Sequence, residues 1–136
     1  MPAEAAGAQV AARARALVGA PFRLHGRDPA SGLDCVGLVA LAIGAGGGAP
    51  VAYRLRMREI GPLLAQAAHC GLRPATGAVL PGDVLLLAVG PCQFHLAVAV
   101  EGGACVHAHA GLRRVVISPA LPEGRRLRHW RLAPDA

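Results

Sequence analysis

The sequence predicts an α+β fold in which helices of the N-terminal half pack on a C-terminal antiparallel sheet of about five strands. In the first half, apolar residues have the spacing of a helix or form runs too long for a strand. Short runs of strand-type residues follow Pro81. Strands and helices do not alternate along the chain, as they would around a parallel sheet. A chain of 136 residues is long enough for one domain, and we expect residues 1–136 to form it.

Three segments of the first half are predicted to be helices. They cover residues 5–18, 33–43 and 59–69. The first has Val10, Ala14 and Val18 on one side, as in an amphipathic helix. The second is apolar throughout and too long for an ordinary strand, so it predicts a buried helix that begins at Asp34 or Cys35. Stretches rich in glycine and other turn residues separate the segments, including one at 44–50.

Five runs in the second half have the composition of β-strands, with glycine or proline turns between them. They cover residues 83–89, 94–100, 104–109, 113–118 and 127–132. Because the connections between them are short, the runs predict a meander in which each strand pairs with the next. No internal repeat or linker interrupts this pattern.

Composition and charge limit the classes of function. The formal net charge is +6, and every basic side chain is arginine. The longest basic run is confined to residues 124–128 and aromatic residues make up 3% of the chain, so we interpret the charge as compositional and expect no nucleic-acid binding. No apolar run is long enough to span a bilayer, and no membrane insertion is expected.

The first residues lack the pattern of a secretory signal. Arg13 and Arg15 interrupt the stretch that would have to be apolar, and no cleavage-site pattern follows. We therefore expect synthesis in the cytoplasm, where thiols stay reduced. The four cysteines are then interpreted as reactive groups, metal ligands or core residues instead of disulfides.

Cys35 is the candidate nucleophile. At the start of the predicted buried helix, unpaired backbone N–H groups point at the sulfur and favour its ionised form. The sequence therefore predicts a lowered thiol pKa for Cys35. The alternative is a buried, inert cysteine on an apolar helix.

A nucleophilic thiol needs a base, and the base needs a third group that orients it. His95 lies at the start of one predicted strand, and His107 and His109 lie on the next. A three-residue loop around Glu101 would place all three side chains on one face of the sheet. One register sets His95 opposite His107, and a shift by two residues sets it opposite His109. The sequence leaves both registers open.

A metal site is the competing interpretation of the same region. Its possible ligands are Cys92, His95, Cys105, His107 and His109. Structural zinc sites usually take closely spaced ligand pairs, and no Cys-x-x-Cys motif occurs here. We therefore expect no metal and no other cofactor.

Several motifs resemble the NlpC family of papain-like cell-wall cysteine peptidases. They are GAPFRLHGRD at 19–28, GLDCVGLV at 32–39, LPGDVLL at 80–86, His95, and VHA at 106–108. Their order and spacing match the family over most of the chain. The resemblance implies a papain-like fold in which Cys35 is the nucleophile, His95 is the general base and His107 orients His95.

The resemblance also implies a substrate class. Members of the family hydrolyse the link between D-γ-glutamyl and diaminopimelyl residues of peptidoglycan stem peptides, so the same substrate is expected here. Phe22, Asp34 and Val36 occupy expected substrate-binding positions. Many members have tyrosine in place of Phe22 and serine in place of Val36, so two hydroxyl groups are absent. Asp34 is expected either to accept a hydrogen bond from substrate or to cap the helix.

The loop at 23–28 resembles the phage and gene-transfer-agent branch of the family, whose peptidases are assembled into tails. This implies a tail hub or tip protein as partner, and action in the periplasm or wall of the target cell.

Two other functions compete. One is a catalytically silent structural or adaptor protein of the tail with the same fold. The other is an acyltransferase or amidase on a related fold, which the order of cysteine before histidine disfavours.

Overall fold

The structure is a computed structural model that describes residues 3–44, 64, 67–90, 93–121 and 124–133. In chain order it contains helix α1 (Ala3–Ala16), strands β1 (Arg27–Asp28) and β2 (Gly32–Leu33), helix α2 (Cys35–Ala42), and strands β3 (Leu72–Pro74), β4 (Val84–Gly90), β5 (Gln93–Ala99), β6 (Cys105–His109), β7 (Arg114–Ser118) and β8 (Arg125–Leu132). The predicted loop at 45–50 lies outside the described residues. So does most of the predicted helix at 59–69, of which residues 64 and 67–69 are helical.

Strands β3 to β8 form one six-stranded antiparallel sheet in the order β3-β8-β4-β5-β6-β7. The α+β prediction is confirmed, and β4 to β7 follow one another as the meander requires. The meander is wrong for the last strand, because β8 returns to pair with β4. Strand β4 therefore has a partner on each side, and its residues 84–87 are all buried.

Two small elements were not predicted from the sequence. Strand β3 adds a sixth strand at the sheet edge next to β8, in place of the expected five. It has three residues and ends in Pro74, so it shows no alternating pattern and lacks one backbone donor. Strands β1 and β2 pair as a separate two-stranded hairpin just before α2. Each has two residues, which is too short for periodicity to show.

Both helices contribute small and branched apolar side chains to one hydrophobic core with the sheet. Helix α1 contacts α2, β5 and β8, and α2 contacts β5 and β6. Val10 and Ala14 are fully buried on the predicted inner side of α1. Val18 was assigned to the same side and is 39% exposed, because α1 ends two residues earlier, at Ala16. Within the described part of the chain, no helix has the length and apolar content needed to cross a bilayer.

A buried charge cluster ties the start of β4 to β8. The Asp83 carboxylate is 0% exposed and accepts two hydrogen bonds of 2.8 Å from the Nε and Nη2 atoms of Arg131. His129 Nε2 lies 2.6 Å from the same carboxylate, and the Leu80 backbone N–H donates to it over 2.9 Å. A forked arginine–carboxylate pair is strong and directional. The cluster therefore helps to fix β8 beside β4, which the meander prediction missed.

The glycine before this aspartate has a packing role. Gly82 has a φ of 91°, and a Cβ atom there would collide with the backbone of Gly7 in α1. Only glycine adopts this left-handed conformation without strain and also leaves room for the helix. The Pro-Gly-Asp segment thus joins α1, the first long strand and the buried charge cluster.

Several opposing effects set the pKa of Asp83. Burial, the largest single effect, raises it. Hydrogen bonds from Arg131, Leu80 and His129, together with the arginine charge, outweigh burial and hold the pKa of Asp83 below its usual value of 3.8. The ionised carboxylate therefore stabilises the fold at pH values above about 3.8, and this contribution is lost as the pH falls through the lower folded-state pKa.

Arg131→Met should lower the free energy of unfolding by about 3 kcal/mol at pH 7, because it leaves a buried carboxylate without its cation. The loss should be smaller at pH 3, where Asp83 is more readily protonated. The matched control is Arg126→Met, the same substitution at an exposed position of the same strand, which should change stability by no more than about 0.5 kcal/mol. Urea unfolding at both pH values measures this. An equal loss at pH 3 and pH 7 would contradict the role assigned to the charge pair.

Candidate active site

Asp34 fixes the start of the helix that carries the candidate nucleophile. It is the N-cap of α2, with extended backbone, and its Oδ1 accepts a hydrogen bond of 2.9 Å from the Gly37 backbone N–H. Its Oδ2 accepts one of 2.7 Å from the His25 backbone N–H, and Arg27 Nη1 lies 3.4 Å from Oδ1. The capping alternative is therefore the one that the structure shows. Because Asp34 is 0% exposed and holds the chain's own donors, a direct hydrogen bond to substrate is not supported.

The loop before α2 packs closely on its first turn. A Cβ atom at Gly37 would collide with the carbonyl oxygen of Gly26, so a larger residue would push this loop away. His25 has a φ of 63°, a left-handed conformation that costs a non-glycine residue energy. This conformation accompanies its N–H bond to Asp34. The Asp-Cys-x-Gly motif therefore combines the cap, the candidate nucleophile and the space that the loop needs beside Gly37.

Cys35 is the first residue of α2 and is 4% exposed. Burial, the largest effect, and the nearby negative charge of Asp34 raise the pKa of the thiol, whereas the backbone N–H groups of Leu96, Val36 and Cys35 itself lower it. The net result is a pKa of about 12. The prediction of a lowered pKa was wrong, because the dipoles at the helix start are present but are outweighed by desolvation and by the cap. The thiol is therefore neutral at neutral pH.

The sulfur lies against the backbone of Leu96, the residue that follows His95. Strands β5 and β6 pair through Val98 with Val106 and through Ala99 with Cys105, next to their hairpin. The Leu96 N–H, which lowers the pKa of the Cys35 thiol, lies beyond these pairs, and α2 packs against β5. The start of α2 is thus placed beside the part of β5 that carries the candidate base.

His95 is joined to the neighbouring strand through His107. Its Nε2 lies 2.9 Å from His107 Nδ1, with the two rings edge to face at 88°. His107 is 5% exposed, and its Nε2 lies 2.8 Å from the Ser118 hydroxyl. Burial first, and then the charges of His107 and His109, lower the pKa of His95 to about 4. Burial and His109 also lower the pKa of His107, so both rings are neutral at neutral pH.

The histidine that contacts His95 differs from the one that the hairpin register would place opposite it. Its loop is the expected three residues, Glu101–Gly103, which form one 3₁₀ turn. Continued along both strands, the observed register would bring His95 level with His109, yet the ring that His95 contacts belongs to His107. His109 instead accepts a hydrogen bond of 3.0 Å from the Leu112 N–H through its Nδ1. The pairs beside the hairpin thus follow the second of the two predicted registers, and the contact of His95 with His107 is a diagonal one.

Phe22 and Val36 are the other two predicted substrate-binding residues; in the sequence, Phe22 precedes the Asp34 cap and Val36 follows it. Val36 is 7% exposed and packs in the core, so the structure does not support a substrate contact through its side chain. Phe22 is half-buried against the core, and its N–H donates to the Arg113 carbonyl oxygen over 2.9 Å. A substrate contact by Phe22 stays a prediction.

The metal interpretation finds no cluster in the described part of the chain. No group of three or more histidine, cysteine or acidic side chains there is arranged to hold an ion. His95 and His107 face each other's ring nitrogens, and the Cys105 thiol points at the Ala120 carbonyl oxygen, 3.6 Å away. Cys92, the remaining candidate ligand, lies outside the described residues.

Solved structures resemble this chain, although no family model matches its sequence and no curated protein does either. The NlpC/p60 domain of the peptidoglycan hydrolase SagA is 28% identical to it, over 82% of this chain and 87% of that domain, with a TM-score of 0.55. The chain has the NlpC/p60 fold. The papain-like fold prediction is therefore confirmed.

Two further structures resemble the chain along nearly its whole length. The P60 domain of antigen MAP1204 from M. avium subspecies paratuberculosis is 22% identical over 96% of both chains, with a TM-score of 0.59. The peptidoglycan hydrolase RipB from Mycobacterium tuberculosis is 22% identical over 96% of this chain and 67% of its own, with a TM-score of 0.59. At these identities the likeness shows the NlpC/p60 fold and does not assign residues.

A neutral, buried thiol predicts a particular pattern of alkylation. The rate of Cys35 modification by iodoacetamide should be slow at pH 7 and should rise by about tenfold per pH unit up to pH 10, because the thiolate is the reactive form. Half-buried Cys70 is an internal comparison and should react before Cys35 at pH 7. Peptide mass spectrometry resolves the two sites. A fast Cys35 reaction that is independent of pH above 7 would instead indicate a preformed thiolate.

Proposed function

We propose that this chain is a cysteine peptidase that hydrolyses amide bonds of peptidoglycan. One observation carries the proposal: Cys35 begins a buried, capped helix, and its sulfur lies beside the strand on which His95 is bonded to His107. The proposed nucleophile, base and orienting group thus lie on adjacent elements, as such a mechanism requires. The substrate class is supported by the likeness to SagA and RipB, which are peptidoglycan hydrolases.

Proton transfer from Cys35 to His95 accompanies the first bond-forming step of the proposed reaction. His95 Nε2 is engaged by His107, so Nδ1 is the ring nitrogen left to accept the thiol proton. The sulfur of Cys35 attacks the amide carbonyl carbon, and His95 then gives the proton to the leaving amine as the C–N bond breaks. Water attacks the resulting thioester with His95 as base, which releases the carboxylic acid and restores the thiol.

The developing oxyanion needs a hydrogen-bond donor beside the sulfur. The Cys35 backbone N–H lies at the start of α2 and lowers the pKa of its own thiol, so we assign it as this donor. Such a preorganised donor typically accounts for about 10² to 10³ in rate. Because the resting thiol and imidazole are both neutral, the proton moves during the attack and not before it.

The expected bond is the one between D-γ-glutamyl and diaminopimelyl residues of the stem peptide. The resemblance of the motifs at 19–28 and 32–39 to NlpC peptidases supports this choice.

The resemblance of the loop at 23–28 to tail-associated members supports delivery by a phage-like tail, with a hub or tip protein as partner and the target cell's wall as the site of action. Presence of the chain in purified tail-bearing particles would support delivery of this kind, and its absence from them would contradict it.

A catalytically silent structural or adaptor protein of the tail is the second candidate. Two observations favour it: the Cys35 thiol is almost completely buried with a raised pKa, and Phe22 and Val36 lack the hydroxyl groups found in many family members. Such a protein would keep the fold and the cap but would not turn over substrate. The two candidates differ in one measurable property, which is cleavage.

Digestion of purified peptidoglycan with mass analysis of the fragments tests the proposed function. Wild-type protein should release stem-peptide fragments with a new amino group on diaminopimelate. Cys35→Ala should release none, and His95→Ala should be slower by at least about 10², the lower range for a positioned base. Cys70→Ala is the matched control and should cleave like wild type.

Circular dichroism confirms that each variant is folded. Cleavage by Cys35→Ala at the wild-type rate would refute the assigned nucleophile. Absence of cleavage by folded wild-type protein would favour the silent tail component.

A further inference from the structure

The histidine pair continues to a serine on a third strand. Ser118 is the last residue of β7 and pairs with Cys105 of β6 in the sheet register. Its half-buried hydroxyl lies 2.8 Å from His107 Nε2, on the opposite side of the ring from His95. The contacts therefore form a chain from His95 through His107 to Ser118.

The proton positions along this chain are coupled. A neutral imidazole has one N–H donor and one nitrogen acceptor, so the two rings can share their contact in only two ways. Burial and neighbouring histidines lower the pKa of both rings, and each therefore holds one proton at neutral pH. In one arrangement His95 Nε2–H donates to His107 Nδ1. In the other, His107 Nδ1–H donates to His95 Nε2.

Only the first arrangement leaves His95 able to act as a base. With its proton on Nε2, His95 has an unprotonated Nδ1 that can accept a proton from the thiol. The reverse arrangement places the proton on Nδ1 and blocks the transfer. In the first arrangement His107 carries its proton on Nε2, and the Ser118 hydroxyl accepts a hydrogen bond from this buried N–H, whereas in the reverse arrangement the hydroxyl would have to donate to Nε2.

We propose that Ser118 is a positioning residue, which accepts a hydrogen bond from His107 Nε2–H and so keeps His95 Nδ1 available for the proton of Cys35. This rests on the proposed function of Cys35 and His95. Groups behind a functional histidine commonly set its tautomer and ring orientation in this way. An uncharged hydroxyl does so without favouring the imidazolium form, as a carboxylate in its place would.

The tautomer of His107 gives a test that does not depend on turnover. Full-length protein carrying Cys35→Ala and labelled with ¹⁵N is compared at pH 7 with and without Ser118→Ala, using long-range ¹H–¹⁵N correlation of the ring nitrogens. With Ser118 present, His107 should show a protonated Nε2 and an unprotonated Nδ1. With Ser118→Ala, the population of the opposite tautomer should rise. A protonated Nδ1 on His107 in the protein that retains Ser118 would overturn the proposal.

Steady-state kinetics give the second test. Ser118→Ala should lower kcat roughly five- to tenfold with little change in KM, the effect of one lost neutral hydrogen bond that acts on the chemical step. Ser118→Thr keeps the hydroxyl and should restore most of kcat, and Thr76→Ala removes an exposed hydroxyl elsewhere and should match wild type. Thermal unfolding checks that the variants are folded.

Equal kcat for Ser118→Ala and wild type, or a Ser118→Thr variant as slow as Ser118→Ala, would overturn the role of the hydroxyl. Failure of the proposed function is distinguishable from this result. In that case wild-type protein does not cleave peptidoglycan, and the ring-nitrogen measurement still decides whether Ser118 sets the tautomer of His107.

Discussion

The buried carboxylate of Asp34 is the interaction on which the geometry of the site depends. Its two oxygens hold the first turn of α2 through Gly37 and the preceding loop through His25, and so they fix where Cys35 lies. The same negative charge, together with burial, raises the pKa of the thiol. The cap that positions the sulfur therefore opposes its ionisation. The resting thiol is therefore neutral, and in the proposed reaction a neighbouring base removes its proton as the sulfur attacks.

The sheet complements the cap by placing β5, the strand of the candidate base, beside the start of α2. Strands β5 and β6 pair near their hairpin, and the Leu96 N–H beyond these pairs lowers the pKa of the Cys35 thiol. The pair of β6 and β7 continues along its whole length, from Cys105 with Ser118 to His109 with Arg114. It therefore carries His107 and Ser118 as one unit. His95, the candidate base, lies on β5, which packs against α2. Its ring is held by His107 of the β6–β7 pair.

Much of this arrangement was predictable, for identifiable physical reasons. Helix α2 follows from a long apolar run after a capping residue, and the strands β4 to β7 follow from short apolar runs between turns. The return of β8 depends on a contact between Asp83 and Arg131, 48 positions apart, which periodicity does not reveal. The pKa of Cys35 depends on burial by distant segments. Ser118 has no local signal, because its role depends only on the ring that it meets across the sheet.

Covalent trapping tests the role of Cys35 most directly. Wild-type protein is mixed with a purified muropeptide and quenched in acid within the first turnover, and its intact and peptide masses are then measured. We expect an added mass equal to the acyl portion of the substrate, attached as a thioester to Cys35. An acyl group mapped to any other side chain, or cleavage that persists after Cys35 is fully alkylated, would show that Cys35 is not the nucleophile.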